Sequence, residues 1–151
     1  MTDATGGAFA AIDDPDQPGW MVWRGGDPST YNASFGPLWV RVEADTARVR
    51  MRPGAGHGNF HGALHGGAAL GFIDIALFAG AYALGARGAA SGVTVDLATQ
   101  FISAGRLDRM LEARIELLRE TGRLLFLRGL LVQEDEPVIA SFTGTLRKVT
   151  A

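Results

Sequence analysis

The sequence predicts an α+β fold in which an antiparallel sheet wraps one long helix. Three observations predict it. Residues 66–84 are almost wholly apolar, with Asp74 the only charged side chain among them, as expected of a buried helix. Strand-like runs of alternating residues flank that stretch on both sides. Short turn signals join those runs, with no second long helix between them, which favours antiparallel pairing around one packed helix.

The elements follow in chain order. Residues 1–17 are small, acidic and turn-rich, and are expected to be a mobile tail ahead of a single domain over 18–151. Residues 18–23, with Trp20 and Trp23, form an aromatic clasp of undefined conformation. Asp27-Pro28 reads as a helix start, because Asp caps and Pro fits the first turn. A short helix over 29–35 would then stop at Gly36-Pro37. Residues 38–44 and 47–52 alternate as two strands about a turn at Asp45-Thr46. The loop 53–64, PGAGHGNFHGAL, leads into the helix, and Gly85 and Gly88 mark its exit. Four strands follow over 92–103, 109–120, 124–133 and 138–149. Their turns fall at Gly105-Arg106, Thr121-Gly122 and 134–137.

Composition narrows the function. The chain has 151 residues, 47% hydrophobic and 20% charged, which suits one globular domain. The net charge is −2, so no general basic field for nucleic acid exists. There is no cysteine, which removes thiol nucleophiles and thiolate metal sites. Residues 66–86 lack Lys, Arg and Glu and approach the ~20 residues that span a bilayer. Asp74 near the middle would cost ~2.5–3.5 kcal/mol there, and glycines interrupt the run. A core helix of a soluble, cytoplasmic protein is the expected reading.

A few side chains carry the chemistry. Asp74 stands alone among apolar neighbours. A carboxylate there is costly to bury, so it suits a general base or nucleophile, or else it pairs with a distant arginine or emerges at a surface. His65-Gly66-Gly67 sits where loop becomes helix. The first N–H groups of a helix have no internal partners, and glycines let a ligand approach them. The doublet serves either an oxyanion hole or a tight turn. Asn59, six residues earlier, can donate to a carbonyl or shape a turn. His57, His61 and His65 recur every four residues, but the glycines between them oppose a helical metal site, and no metal is expected. Thr94 is either simply a good strand former or a group that orients a water or a carboxylate. Arg106, Arg109, Arg123 and Lys148 stand near turns, where a phosphate contact or a solvated surface are both open. Phe60, Phe72, Phe78 and Tyr82 are either pocket walls or core.

His65 and Asp74 are nine positions apart. At 100° per residue they point to opposite sides of the helix, ~13 Å apart along its axis. Two antiparallel helices about a two-fold axis would bring the start of one beside the middle of the other. That geometry predicts a homodimer with composite sites.

Asn59-x5-His65-Gly66-Gly67-x6-Asp74, followed by Gly92-Val93-Thr94-Val95-Asp96-Leu97, resembles the hotdog-fold acyl-CoA thioesterases of the phenylacetic-acid-degradation type. Phe101 to Gly105, Glu120-Thr121-Gly122-Arg123 and Ala140-Ser141-Phe142-Thr143-Gly144-Thr145 extend the resemblance over 31–148. It implies a strand-wrapped helix, a dimer with a continuous sheet and a tetramer of two dimers. It also implies coenzyme A thioesters as substrates, with no separate cofactor and no metal. By position, Asp74 would be base or nucleophile, Gly66 would polarise the carbonyl with Gly67 beside it, and Asn59, His65 and Thr94 would position substrate or water. Phe60 and Arg123 are weaker candidates for substrate contact. His57 and His61 stand outside the family signature, and the Trp20–Trp23 segment reads as an extension, a candidate lid. Two alternatives remain in view: an enoyl-CoA hydratase or dehydratase of the same fold, and a non-catalytic acyl-CoA-binding module.

Overall fold

Residues 10–24 and 26–149 are described by the structure, a computed structural model. Among the described residues eight strands form one sheet: β1 (Ala10–Asp13), β2 (Met21–Arg24), β3 (Leu38–Glu43), β4 (Thr46–Met51), β5 (Val93–Phe101), β6 (Leu111–Glu120), β7 (Leu124–Val132) and β8 (Ala140–Arg147). Their order across the sheet is β1-β2-β3-β4-β6-β7-β8-β5, and every pairing is antiparallel. One long helix, α1 (Gly66–Ala83), lies against β3 to β7. This is the hotdog architecture that the sequence predicts.

The alternation of the strands divides the sheet into two faces. Val40, Val49, Ala113, Ile115, Leu127, Leu131 and Leu146 face α1 and are buried. Phe72, Ile73, Ala76 and Leu77 of α1 meet them, fully enclosed, each large side chain contributing ~1.5–3 kcal/mol by burial. Two glycines permit the close approach. A Cβ at Gly144 would overlap Leu77 Cδ1, and one at Gly80 would come within 2.9 Å of Ile115 Cδ1. By length and composition α1 could cross a membrane; in the fold it is the core helix.

The other face is polar. Glu112 of β6 lies beneath Arg48 and Arg50 of β4 and Arg114 of its own strand. Arginines also cover Trp20, with Arg50 Cζ 4.1 Å and Arg41 Cζ 4.8 Å from the ring centroid.

The amino-terminal region departs from expectation. Residues 10–13, read as tail, form β1 and pair with β2. Residues 1–9, the remainder of that expected tail apart from 14–17, lie outside the described residues. Asp14 ties the hairpin down: its carboxylate accepts from Trp39 Nε1 at 2.6 Å. Trp20 packs with Val22 and Trp39 on the face away from α1, so it is no lid over the helix. Trp23 alternates to the helix side and meets Tyr82 edge-on at 5.4 Å. The expected helix over 29–35 is shorter, a 3-10 turn at Tyr31–Phe35. Its N-cap is Thr30, with no side-chain cap bond. Asp27, the expected cap, instead accepts from Ser29 N at 2.8 Å in the turn before it, and Gly36 ends the 3-10 turn at φ +67°.

Candidate active site

The loop before α1 is built by its polar side chains. Asn59 Oδ1 accepts from His61 N at 2.8 Å and Ala63 N at 3.1 Å, closing a tight turn. Its amide nitrogen has no hydrogen bond among the described residues. Phe60 occupies the tip of that turn with its ring fully in solvent, outside the cleft of its own chain. His61 is also exposed.

His65 caps α1. Its Nδ1 accepts from Gly67 N at 2.8 Å, which leaves the proton on Nε2 in the neutral ring. The Gly67 N–H is therefore occupied by the cap and is not open to a ligand, a correction to the expected contact. The Gly66 N–H is a donor of the first turn with no partner among the described residues, where the helix dipole places partial positive charge. Phe101 of β5 packs against Gly66, its Cζ 3.4 Å from where a Cβ would stand.

Asp74 lies two turns further along. It is half-buried and exposes one edge on the side of α1 that the sheet leaves open. Thr94 of β5 donates from Oγ1 to Asp74 Oδ1 at 2.6 Å, so one carboxylate oxygen is held and the other is available. Gly67, Leu70, Gly71, Ile75, Phe78 and Tyr82 share this open side. Phe78 and Tyr82 thus belong to it, whereas Phe72 is core.

Within one chain the candidates form two groups. Asn59, His65 and Gly66 gather at the start of α1, and Asp74 and Thr94 at its middle. Arg123 is apart from both, in the exposed turn after β6, where its carbonyl accepts from Lys148 N. It stands at the other end of the sheet from the His65 loop.

A cleft of about 590 Å³ opens beside the helix start, bounded by Tyr31, Phe35, His57, His65, Gly67 and Ala68. Sequence reasoning did not assign Tyr31 or Phe35 to the site. The two rings meet edge-on at 5.2 Å, but in a 3-10 turn a four-residue spacing does not itself align them, and what they face is a long-range contact. His57 joins the cleft wall to the loop. Its Nδ1 accepts from Gly54 N at 3.0 Å, and Nε2 then donates to Ser34 O at 2.9 Å. His57 and His65 each use a ring nitrogen on backbone, and among the described residues no group of three side chains is arranged as metal ligands.

The sequence pattern of the thioesterase superfamily matches residues 61–140, from the His65 loop to the start of β8. The chain belongs to the thioesterase superfamily. The matched segment contains His65, Gly66, Asp74 and Thr94, while the Tyr31–Phe35 turn and His57 precede it. Solved structures agree on the fold of this thioesterase. The Escherichia coli PaaI protein from the phenylacetic acid degradation operon is 21% identical, with a TM-score of 0.66 over 79% of this chain and 83% of its own. A hypothetical thioesterase from Streptococcus pneumoniae, solved with coenzyme A, is 18% identical, with a TM-score of 0.67 over 78% of this chain and 90% of its own. A mutant of the phenylacetic acid degradation protein PaaI from Thermus thermophilus is 26% identical, with a TM-score of 0.60 over 82% of this chain and 100% of its own. No curated protein matches the sequence. The protein is a thioester hydrolase of the hotdog, PaaI-like type.

Proposed function

We propose that this thioesterase hydrolyses acyl-CoA thioesters at composite sites, each combining the start of α1 in one copy with Asp74 and Thr94 of a second. The separation of the two groups along α1 carries this reading. One helix holds its unengaged Gly66 N–H and its carboxylate ~12 Å apart along the axis, too far for both to reach one carbonyl. Antiparallel packing of two copies through the open side of α1 would close that gap.

The edge of the sheet supports the same pairing. Strand β5 is nine residues long and ends the sheet, with Val93 45% and Val95 58% exposed. A long apolar edge invites a second copy. Two β5 edges about a two-fold axis would continue the sheet and lay the open helix sides together. Pairing of two such dimers into a tetramer remains part of the proposal. The coenzyme A held by the pneumococcal thioesterase supports the choice of thioester.

In the proposed reaction the thioester oxygen accepts from Gly66 N–H. Asn59 Nδ2 and the His65 Nε2–H orient the substrate from the loop. The partner's Asp74, with one oxygen held by Thr94, takes a proton from water as the water oxygen attacks the carbonyl carbon. The tetrahedral intermediate collapses with cleavage of the C–S bond. The coenzyme A thiolate leaves and is protonated, and the acid is released.

Mixed dimers test the shared site. An Asp74→Asn chain keeps its helix start, and a His65→Ala chain keeps its carboxylate. A purified heterodimer then holds one intact site and one doubly damaged site, and is expected to regain about half of wild-type turnover per dimer. Heterodimers no more active than either parent, or a protein that stays monomeric in solution, would reject the shared site.

A further inference from the structure

The wall of the cleft is held more firmly than an exposed turn requires. Tyr31 is 63% exposed, yet three contacts fix its position. It meets Phe35 edge-on at 5.2 Å. It rests on the backbone of α1 at Gly71, where an added Cβ would overlap the Tyr31 hydroxyl and come within 2.8 Å of Phe35 Cζ. The turn that carries it is pinned by His57, whose ring stacks on Phe35 at 5.4 Å while Nε2 donates to Ser34 O.

Its place on the helix gives the contact a consequence. Gly71 stands one turn after Gly67 and about one turn before Asp74, on the open side of α1. Tyr31 therefore crosses that side ~6 Å beyond Gly67 along the axis. An acyl chain running from a carbonyl at the helix start along α1 meets the Tyr31 ring there.

We propose that the Tyr31–Phe35 turn is the specificity-determining wall of the acyl site: Tyr31 stops the acyl chain at Gly71, and His57 is the positioning residue that holds the turn in place. The preferred substrates are then short-chain acyl-CoAs. This rests on the acyl-CoA reading above and adds chain length to it.

Free-thiol release from acetyl-, butyryl-, octanoyl- and palmitoyl-CoA tests the wall. Wild type is expected to favour the short members. Tyr31→Ala leaves the core of the single chain untouched and opens the path along α1. Because Tyr31 lies on the side of α1 that the proposed dimer joins, the oligomeric state of the variant is measured beside its activity. The ratio of kcat/KM for octanoyl- over butyryl-CoA should rise about tenfold or more, since each methylene that gains a pocket is worth ~10-fold or more in discrimination. His57→Phe keeps the stacking but loses both hydrogen bonds. It should raise the same ratio in the wild-type background and leave it unchanged in the Tyr31→Ala background, because it acts through Tyr31. A general structural effect would instead lower all substrates together in both backgrounds. A long-chain optimum in wild type, a Tyr31→Ala profile parallel to wild type, or a His57→Phe shift independent of Tyr31 would each overturn the wall while leaving the acyl-CoA reading intact. Wild-type protein that cleaves none of the four substrates would overturn both.

Discussion

Asp74→Asn is expected to lower kcat by about 10²–10⁴-fold, the scale of losing a positioned general base, with no loss of folded structure. The contacts of Asp74 separate these two effects. Its one side-chain hydrogen bond among the described residues is the Oδ1 acceptor for Thr94 Oγ1 at 2.6 Å, and asparagine keeps that acceptor and nearly the same volume. The side chain is half-buried, so the amide retains contact with water. What is lost is the negative charge and the ability to take a proton. Thr94→Val removes the donor that holds the carboxylate and should cost less, about tenfold, because the base remains but is less well oriented. Steady-state kinetics with a thermal melt on each variant measures both effects. Near-wild-type turnover of Asp74→Asn would remove Asp74 from the chemistry.

Glu112→Gln is expected to produce the largest loss of stability from a single polar substitution. Glu112 lies on the outer face of the sheet with its side chain 5% exposed. Arg48 donates to it through Nε and one terminal nitrogen, both at 2.9 Å, and Arg114 Nε at 2.7 Å. Arg50 Nε also donates to it. Burial opposes ionisation of this carboxyl, but the guanidinium hydrogen bonds of Arg48, Arg114 and Arg50 outweigh it and hold the pKa at about 2, against 4.5 for a free glutamate. The folded value is the lower one, so this stability is fully present above pH 4.5 and lost as pH falls toward 2. The span corresponds to about 3 kcal/mol. Removing the charge at neutral pH should cost a similar amount, about 3 kcal/mol, at the low end for a broken buried ion pair because the arginines keep some water. For a chain of this size that lowers Tm by roughly 6–12 °C. Melts of wild type and Glu112→Gln from neutral pH down to about pH 2 check the sign. The gap between them should narrow as pH falls below 4.5, and a gap independent of pH would contradict the ion-pair account.

Much of the fold was legible because its signals are local. The apolar run with His65-Gly66-Gly67 at its start announced α1 to within a residue at each end. Alternation marked most of β3 to β8, an almost wholly apolar run marked β7, and the turns fell at or beside the expected Gly, Asp and Thr positions. The hairpin of β1 and β2 was not legible. Ala10–Asp13 is too short and too small to carry a pattern, and it is held by a sheet edge and by an Asp14–Trp39 bond spanning 25 positions. The site divides the same way. Asp74 was visible as the one charge in an apolar helix. Phe60, although aromatic and adjacent to Asn59, turns into solvent because Asn59 closes the loop beneath it.

By itself the sequence determined the glycine-rich loop ahead of the helix, the single carboxylate on α1, the lack of any thiol and the two-to-four division of the clear strands around one helix. These are properties of residues and their spacing, and spacing alone separates His65 from Asp74. Only the tertiary structure decided the strand order, the side of α1 left open, the occupation of Gly67 N–H by the His65 ring, the pairing of Thr94 with Asp74, and the seat of Tyr31 on Gly71. Most of these depend on contacts between residues far apart in the chain, and the His65 cap on the rotamer its surroundings select. Such contacts form where packing and hydrogen bonding repay the entropy of bringing the segments together, and no local pattern records them.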